Sequence, residues 1–287
     1  MRALALLLML GFMSCKQSSP IDIQGHRGCR GLSPENTLPA FKKAIELGVH
    51  TIELDVVITK DNQVIVSHEP YMNSEICLDT LGSPITKEEG RAINLYQLTY
   101  DEIKQFDCGS KQHSLYKEQL NEAAYKPLLS EVIELAEGLN DEIKYNIELK
   151  THPSVYGKFT PFPEEFVALV MTELTNYGIL QRTNLQSFDV NTIEQIKKHP
   201  TTVEIALLVD GSEDIRSKIS QLSFKPDIIS PSFRLLDQKF VQELQAENYQ
   251  VIPWTVNDPK DLQQMIDFKV DGIITDYPDR LIALMHK

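Results

Sequence analysis

The stretch Gly25–Asp55, GHRGCRGLSPENTLPAFKKAIELGVHTIELD, predicts a strand end, a loop, one amphipathic helix and a second strand. His26 and Arg27 follow a short run of alternating apolar residues, so they lie where the first strand gives way to a glycine-containing loop. Glu53 and Asp55 are two residues apart in the second strand, and side chains at i and i+2 project from the same face. Two carboxylates inside a buried parallel strand are costly unless they are compensated, and the natural compensation is a cation.

A later strand repeats this polar face. In Tyr145–Lys150, YNIELK, Glu148 and Lys150 share one side of the strand. With the two acids of the second strand, Glu148 gives three oxygen ligands and no cysteine ligand, which favours Ca²⁺ or Mg²⁺. The alternative is a buried carboxylate trio neutralised by Lys150 and Arg27. Three acids against two bases still leave negative charge in a confined site, so the metal is the favoured interpretation.

From residue 21 onward, short β-branched runs alternate with helical patterns, which predicts parallel βα units. Eight such strands on a chain of this length indicate an α/β fold of the TIM (β/α)₈ barrel type, whose chemistry lies at the carboxyl ends of the strands. The predicted strands are Ile21–Gln24, Thr51–Val57, Tyr145–Leu149, Asn184–Ser187, Val203–Val209, Asp227–Ser230, Gln250–Thr255 and Gly272–Thr275. The barrel is therefore expected to occupy residues 21–287.

The alternation is interrupted once, between strands two and three of the barrel. After a short extra strand over Gln63–Ser67, residues 69–126 are mostly polar, with one helical stretch near Thr99–Phe106. A gap of this length is more typical of an inserted subdomain than of a structureless loop. We expect it to cap the mouth of the barrel and to shape the substrate pocket.

The first residues predict export. Arg2 precedes an unbroken apolar run that ends at Met13, which is typical of a secretory signal peptide over residues 1–14 and too short for a membrane-spanning helix. The position of Cys15 resembles a bacterial lipoprotein processing site, with plain cleavage and release as the lesser alternative. Residues 15–20 would then be a tether, and acyl chains on Cys15 would hold the protein at a membrane of the cell envelope, in the periplasm or at the outer surface.

Charge and cysteine content narrow the classes of function. The formal net charge is −13, and loss of residues 1–14 removes only Arg2 and makes it −14, which opposes binding to a phosphate backbone. Nucleic acid is therefore not an expected partner, and the oligomeric state stays open. Cys77 and Cys108 could pair in an oxidising compartment, although the sequence cannot fix their distance. Cys29 is interpreted as a small loop residue rather than a nucleophile.

His26 and His68 are the candidate proton carriers, because histidine titrates near neutral pH. Arg27 and Lys150 would face an anionic group beside the metal, and a phosphodiester fits that arrangement. Asn36 could orient a loop or a ligand, or could cap the following helix. The remaining histidines are expected at the surface: His50, His113, His152, His199 and His286.

At this point the sequence resembles the glycerophosphodiester phosphodiesterase family. The matching motifs are HRG at 26–28, PENT at 34–37, ELD at 53–55, His68, PLLSE at 127–131, NIELK at 146–150, SF at 187–188, WTVN at 254–257 and DGIITDYP at 271–278. They run in order across nearly the whole of residues 21–287. Residues 69–126 likewise resemble the family's characteristic insertion.

The resemblance implies Glu53, Asp55 and Glu148 as metal ligands and His26 with His68 as the acid and base, while Trp254 is expected to contact substrate. It further implies that the 2-hydroxyl of the substrate's glycerol attacks phosphorus to give a cyclic phosphate, which water opens. The products would be glycerol 3-phosphate and an alcohol.

Two other classes of function compete with this prediction. A surface lipoprotein could keep the barrel and bind without cleaving, but loss of a histidine or a ligand would then be expected. A phospholipase acting on intact lipids would need apolar residues around the mouth, and the local cluster is Phe159, Phe162 and Phe166. Packing of these rings at a helix start is the favoured interpretation of that cluster.

Overall fold

A ring of parallel strands forms the centre of the molecule. The computed structural model describes residues 21–200 and 202–286, so the predicted signal peptide, tether and lipidated Cys15 lie outside the described residues. The strands are β1 (Asp22–Gly25), β2 (Thr51–Ile58), β3 (Val64–Val66), β4 (Lys144–Leu149), β5 (Thr183–Ser187), β6 (Glu204–Val209), β7 (Ile228–Pro231), β8 (Gln250–Val251) and β9 (Gly272–Thr275). Short β3 lies within the extra strand predicted over Gln63–Ser67. It pairs antiparallel with β2.

The other eight strands follow the order β1, β2, β4, β5, β6, β7 and β8, and β9 pairs with the far side of β1. Backbone hydrogen bonds from Asp271 to Val251 and from Ile274 to Pro253, each 3.0 Å, link the last two strands. The sheet is therefore a nearly closed barrel, and the predicted TIM fold is confirmed. The strand predicted over Gln250–Thr255 is shorter because Pro253 has no N–H to give to a ladder.

Helices cover the outside of this ring and occupy the insertion. They are α1 (Leu38–Leu47), α2 (Lys87–Ala92), α3 (Tyr100–Ile103), α4 (Leu129–Leu139), α5 (Pro163–Asn176), α6 (Val190–Lys198), α7 (Ile215–Ile219), α8 (Gln238–Ala246), α9 (Pro259–Phe268) and α10 (Pro278–Met285). Within the described ranges, no helix combines the length and apolar character that crossing a membrane requires.

The loop between β1 and α1 approaches the rest of the barrel very closely. Gly28 has a φ of +83°, and a Cβ atom there would lie 2.7 Å from the carbonyl carbon of Ala40, so only glycine fits. Arg27 and Asn36 also have positive φ, at 50° and 56°. Side chains other than glycine rarely adopt this conformation, and such residues concentrate at functional sites. The loop is thus held in a strained form that presents Arg27 to the mouth.

The insertion has its own small core, packed on β2 and β3 through Val57 and Ile65. Cys77 and Cys108 form a disulfide within this core, which answers the question that the sequence left open. Thr86 and Glu89 form a reciprocal capping box at the start of α2, and Thr99 starts α3 with Glu102 as its partner. The insertion therefore packs around a core of its own, and its helix α3 is shorter than the helical stretch predicted near Thr99–Phe106.

Candidate active site

Three carboxylates meet at the carboxyl ends of β2 and β4. Asp55 lies beside Glu148 in the register of the two strands, and Glu53 projects from the same face as Asp55. One oxygen from each of the three lies within 4.8 Å of the others. Burial, together with the charge of Asp55, raises the pKa of Glu53 well above its usual range, and burial also raises that of Glu148. The site thus concentrates more negative charge than the protein alone stabilises.

Both predicted bases contact this trio. The Lys150 Nζ atom lies 2.7 Å from Glu148 and 3.8 Å from Asp55, and Arg27 Nε lies 3.2 Å from Asp55. Burial acts to raise the pKa of Asp55, but the charge of Arg27 and other cations, with a 2.8 Å hydrogen bond from Asn36, lowers it. Asn36 therefore orients a buried acid, whereas Thr37 caps α1.

One oxygen of this trio has no hydrogen-bond partner. Asp55 Oδ1 is buried and accepts no hydrogen bond from any described residue. Lys150 and Arg27 contact the acids, but neither donates a hydrogen bond to this oxygen. A buried acceptor that stays unpaired costs free energy, and a divalent cation among three carboxylates removes that cost. The donor set therefore fits a hard cation bound by Glu53, Asp55 and Glu148.

His26 is held by an acid that directly follows the last strand. Its Nδ1 atom lies 2.5 Å from Asp276 Oδ1, which leaves Nε2 facing the cavity, 3.9 Å from Glu53. Burial lowers the pKa of His26 to about 4, and the charge of Arg30 adds to that effect while Asp276 opposes it. His26 is thus fixed in orientation and neutral near pH 7, with its Nε2 atom directed into the cavity.

Asp276 joins the barrel to the insertion. Besides His26, it accepts hydrogen bonds from Arg30 at 2.8 Å, Asn257 at 2.6 Å and the Tyr116 hydroxyl of the insertion at 3.1 Å. The Arg30 guanidinium also lies over the Tyr116 ring, 4.9 Å from its centroid. Asp276 directly follows the predicted strand Gly272–Thr275, but its role was not predicted, because its partners come from three separate segments of the chain.

His68 has a similar acidic neighbour. Its Nδ1 atom lies 2.8 Å from Glu69 Oε1, and the other oxygen of Glu69 accepts a 3.1 Å hydrogen bond from Asn73. About 30% of the His68 side chain is exposed, against 11% for His26. Each histidine therefore has one nitrogen bound to a carboxylate and the other available to a ligand.

A cavity of about 290 Å³ brings these groups together. Its polar wall contains seven of the residues considered so far, His26, Arg27, Arg30, Glu53, His68, Glu148 and Lys150, together with Gln186. The lining also includes four apolar side chains, Phe188, Leu208, Trp254 and Ile274. The Phe188 and Trp254 rings meet edge to face at 5.4 Å, and Trp254 Nε1 donates to the Ser230 carbonyl. Of the predicted site residues, Asp55 alone lies behind the cavity wall.

Some expectations for individual side chains need correction or refinement. His113 is buried rather than at the surface, and its ring packs against Tyr116 at an angle of 60°, with centroids 4.6 Å apart. Arg30, which the motifs left without a role, lines the cavity. Cys29 is fully buried, and burial raises the pKa of its thiol to about 12. A thiol with so high a pKa is unreactive, as expected for a small loop residue that is not a nucleophile.

The three residues of the phenylalanine cluster lie in different surroundings. Phe166 is in the core, Phe159 packs near Tyr71 and Phe162 is exposed.

Comparison with known proteins agrees with this geometry. The sequence pattern of the glycerophosphoryl diester phosphodiesterase family matches residues 26–280. A glycerophosphodiester phosphodiesterase of Bacillus altitudinis is 31% identical over 91% of this chain and 97% of its own length. One from Caldanaerobacter subterraneus subsp. tengcongensis is 30% identical, over 91% and 96%.

Solved structures show the same fold. The crystal structure of a putative glycerophosphoryl diester phosphodiesterase from Silicibacter pomeroyi superposes with a TM-score of 0.82, is 27% identical, and covers 92% of this chain and 94% of its own. The chain therefore belongs to the glycerophosphoryl diester phosphodiesterase family and is a phosphoric diester hydrolase.

Proposed function

We propose that this protein hydrolyses glycerophosphodiesters to glycerol 3-phosphate and an alcohol, with one divalent cation, Ca²⁺ or Mg²⁺, held by Glu53, Asp55 and Glu148. The observation that carries the proposal is the single cavity in which buried acids face two histidines and two bases. The cation supplies positive charge next to the phosphoryl oxygens when it is bound. A barrel that only bound its ligand would have no need for two histidines with free ring nitrogens.

Arg27 and Lys150 lie beside the acids and would bind the nonbridging oxygens of the phosphodiester. Charge develops on these oxygens as the attacking oxygen approaches, so preorganised cations stabilise the transition state. Trp254 and Phe188 would pack against the carbon atoms of the substrate and exclude water from that side.

His26 and His68 would divide the two proton transfers. In the first step one histidine takes the proton of the glycerol 2-hydroxyl, whose oxygen attacks phosphorus, while the bond to the leaving alcohol breaks and the other histidine protonates that oxygen. In the second step the roles reverse, because water loses a proton as it attacks and the ring oxygen gains one. The five-membered cyclic phosphate then opens to glycerol 3-phosphate.

The predicted export signal belongs to this proposal as well. A disulfide between Cys77 and Cys108 is typical of an oxidising compartment, which supports a location in the cell envelope. A lipid on Cys15 would hold the enzyme at a membrane there. Metabolic labelling with radioactive palmitate should mark the wild type and not a Cys15→Ser variant. Absence of label from both would favour the alternative, in which the signal peptide is cleaved and the protein is released without a lipid.

The catalytic proposal is tested by measuring release of glycerol 3-phosphate from glycerophosphocholine, glycerophosphoethanolamine and glycerophosphoinositol. Activity should appear with added Ca²⁺ or Mg²⁺, disappear with chelator, and be lost in His26→Ala. A search for the cyclic phosphate by ³¹P NMR during turnover tests the two-step route. No release from any of the three by folded, metal-loaded protein would refute the assignment of substrate.

A further inference from the structure

Arg30 lines the cavity and keeps free hydrogen-bond donors there. Its side chain is 18% exposed, and its Nε atom donates to Asp276 Oδ1 at 2.8 Å. Neither of its terminal nitrogens donates a hydrogen bond to a described residue, and neither is sealed from solvent. Glu35 Oε2 lies 3.6 Å from Nη1, which is too far for a hydrogen bond. The terminal N–H groups of Arg30 are therefore available to a ligand in the cavity.

The Arg30 guanidinium is held in place before any ligand arrives. It lies over the ring of Tyr116, 4.9 Å from the centroid, and the Tyr116 hydroxyl donates to the other oxygen of Asp276 at 3.1 Å. The amide of Gln119 donates to the Arg30 carbonyl oxygen at 2.7 Å and so fixes the backbone as well. A side chain that is already ordered loses little conformational entropy on binding, which favours a specific contact.

Arg30 lies apart from the proposed phosphate site. Arg27 and Lys150 contact the three predicted metal ligands, and these two bases bind the phosphate in the proposed function. The ion pairs of Arg30 are instead with Asp276 and Glu35, neither of which belongs to that trio. Arg30 is therefore free to contact a second group of the same substrate.

The group that fits the free donors is an anion. A guanidinium presents parallel N–H bonds that match the paired oxygens of a carboxylate or a phosphate. The glycerol end of every glycerophosphodiester is neutral, so a second negative charge can only belong to the alcohol, the head group that leaves. Arg30 thus points to a head group that carries an anion.

The competing head group is a quaternary ammonium, which aromatic rings bind. Phe188 lines the cavity, but the Nζ atoms of Lys150 and Lys218 already lie 5.8 Å and 5.5 Å from the centroid of its ring. A choline group would have to compete with these two ammonium groups for the same ring. Phe188 is therefore a poor choline site, whereas Arg30 has donors to spare.

We propose that Arg30 binds an anionic group on the alcohol portion of the substrate through its terminal nitrogens, and so selects glycerophosphodiesters with negatively charged head groups. The inference rests on the proposed function, because it concerns the head group of the same substrate. Arg30 is then a specificity residue, distinct from the predicted metal ligands and proton carriers. Tyr116 gives the insertion a part in this selection, because its ring supports the guanidinium.

The test compares glycerophosphoserine with glycerophosphoethanolamine, because the two diesters differ by one carboxylate. For the wild type, kcat/KM should be at least about tenfold higher with glycerophosphoserine, as expected for a hydrogen-bonded contact between charged groups. In Arg30→Gln, which removes the charge, the two values should agree within about twofold. General damage through Asp276 lowers both values and cancels in their ratio.

Two further variants separate this role from others. Arg30→Lys should lower the preference without abolishing it, because an ammonium keeps the charge and lacks the paired donors. Arg216, which is exposed, pairs with Glu247 and does not line the cavity, provides the control for loss of one positive charge, and Arg216→Gln should keep the full preference.

Three results would overturn the inference. They are a wild type that does not prefer glycerophosphoserine, a preference that survives in Arg30→Gln, and a preference that Arg216→Gln removes equally. If Arg30→Gln does not fold, Arg30→Lys decides, and an unchanged preference in that variant would also overturn the contact.

Failure of the proposed function would be distinguishable from failure of this contact. If the wild type cleaves no glycerophosphodiester, the reaction is misassigned, and binding then decides the role of Arg30. Calorimetry would compare O-phosphoserine with O-phosphoethanolamine, which differ by the same carboxylate, on the wild type and on Arg30→Gln. Tighter binding of O-phosphoserine that disappears in the variant would support the contact, and equal affinities in the wild type would reject it.

Discussion

At the scale of single residues, the site is built from pairs in which a carboxylate positions a histidine. His26 with Asp276 and His68 with Glu69 are such pairs, joined at 2.5 Å and 2.8 Å. A carboxylate on Nδ1 fixes the tautomer and the ring orientation, so in the proposed mechanism Nε2 is the atom that exchanges protons with the substrate. The sequence indicated both histidines, since each follows a strand. It did not indicate their acids, because Asp276 is 250 residues from His26 and Glu69 begins a polar insertion.

Asp276→Asn should lower kcat by at least about 10²-fold, because an amide cannot hold the His26 ring as an ionised carboxylate does. Asp276 does not belong to the acidic trio, so metal affinity should change little. Steady-state kinetics on glycerophosphocholine and calorimetric metal titration measure the two quantities. A kcat within about threefold of the wild type would show that His26 works without this acid.

Glu69 should make the stability of the protein depend on pH in the acid range. Burial acts to raise its pKa, but the hydrogen bond and charge of His68, with the charges of Arg27 and Lys126, lower it to about 2. An unfolded Glu titrates near pH 4.3, so this stabilisation is complete above that pH and is lost as the pH falls toward 2. The contribution is at most about 3 kcal/mol, since the side chain keeps some exposure.

The cost of Glu69→Gln, measured as the free energy of unfolding in urea, should therefore be largest near pH 6 and about a third smaller at pH 3.5. Exposed Glu142 provides the matched control, because Glu142→Gln changes the same charge away from any buried partner. A cost for Glu69→Gln that is independent of pH between 6 and 3.5 would contradict the proposed ion pair with His68.

At the scale of elements, the sequence predicted the barrel better than the insertion. Barrel strands such as β2 and β6 are rich in β-branched and aliphatic residues, even though β2 also carries Glu53 and Asp55, and this signal is local. The insertion core instead collects isolated apolar residues from several short segments, for example Met72, Leu95 and Ile103. Its short helices start at capping boxes that the sequence does contain, at Thr86 and Thr99. Their length depends on packing, which no local pattern shows.

The Cys77–Cys108 disulfide is the main covalent support of this small core. It closes a loop with a sequence separation of 31 residues, for which a stabilisation of about 2–4 kcal/mol is expected. The Cys77 amide also donates to the carbonyl of Asn73, whose side chain holds Glu69 beside His68. Loss of the disulfide should thus destabilise the insertion and weaken the orientation of His68.

The double variant Cys77→Ala/Cys108→Ala should have a lower thermal midpoint and a lower kcat than the wild type. Reductant should reproduce the loss of stability in the wild type and leave the double variant unchanged, which provides the internal control. Calorimetric scans with and without dithiothreitol measure this. Equal midpoints for the two proteins under oxidising conditions would show that the insertion does not need the bridge.

At the scale of the whole molecule, closure of the barrel brings residues from distant parts of the sequence into one site. The first and last strands pair, so His26 and Asp276 meet although nearly the whole chain separates them. The insertion then docks on the same mouth, where the amide of Gln119 donates to the carbonyl oxygens of Arg30 and Ser33 at 2.7 Å and 3.1 Å. The fold class was predictable because every βα unit carries the same signal. The docking was not, because it depends on single polar contacts between distant loops.

The acidic trio should couple metal binding to the stability of the entire barrel. Three buried carboxylates on β2 and β4 repel one another, and burial with the neighbouring charge of Asp55 already raises the pKa of Glu53. A cation that binds only the folded protein adds RT ln(1 + [L]/Kd) to the free energy of unfolding, about 2.7 kcal/mol at a concentration 100-fold above Kd.

Chelator should therefore lower the thermal midpoint of the metal-loaded protein, and added Ca²⁺ or Mg²⁺ should restore it. Glu148→Gln should lose most of this response, whereas Glu142→Gln should keep it. A thermal midpoint that does not respond to either ion, in protein shown to be metal-free at the start, would contradict the metal site.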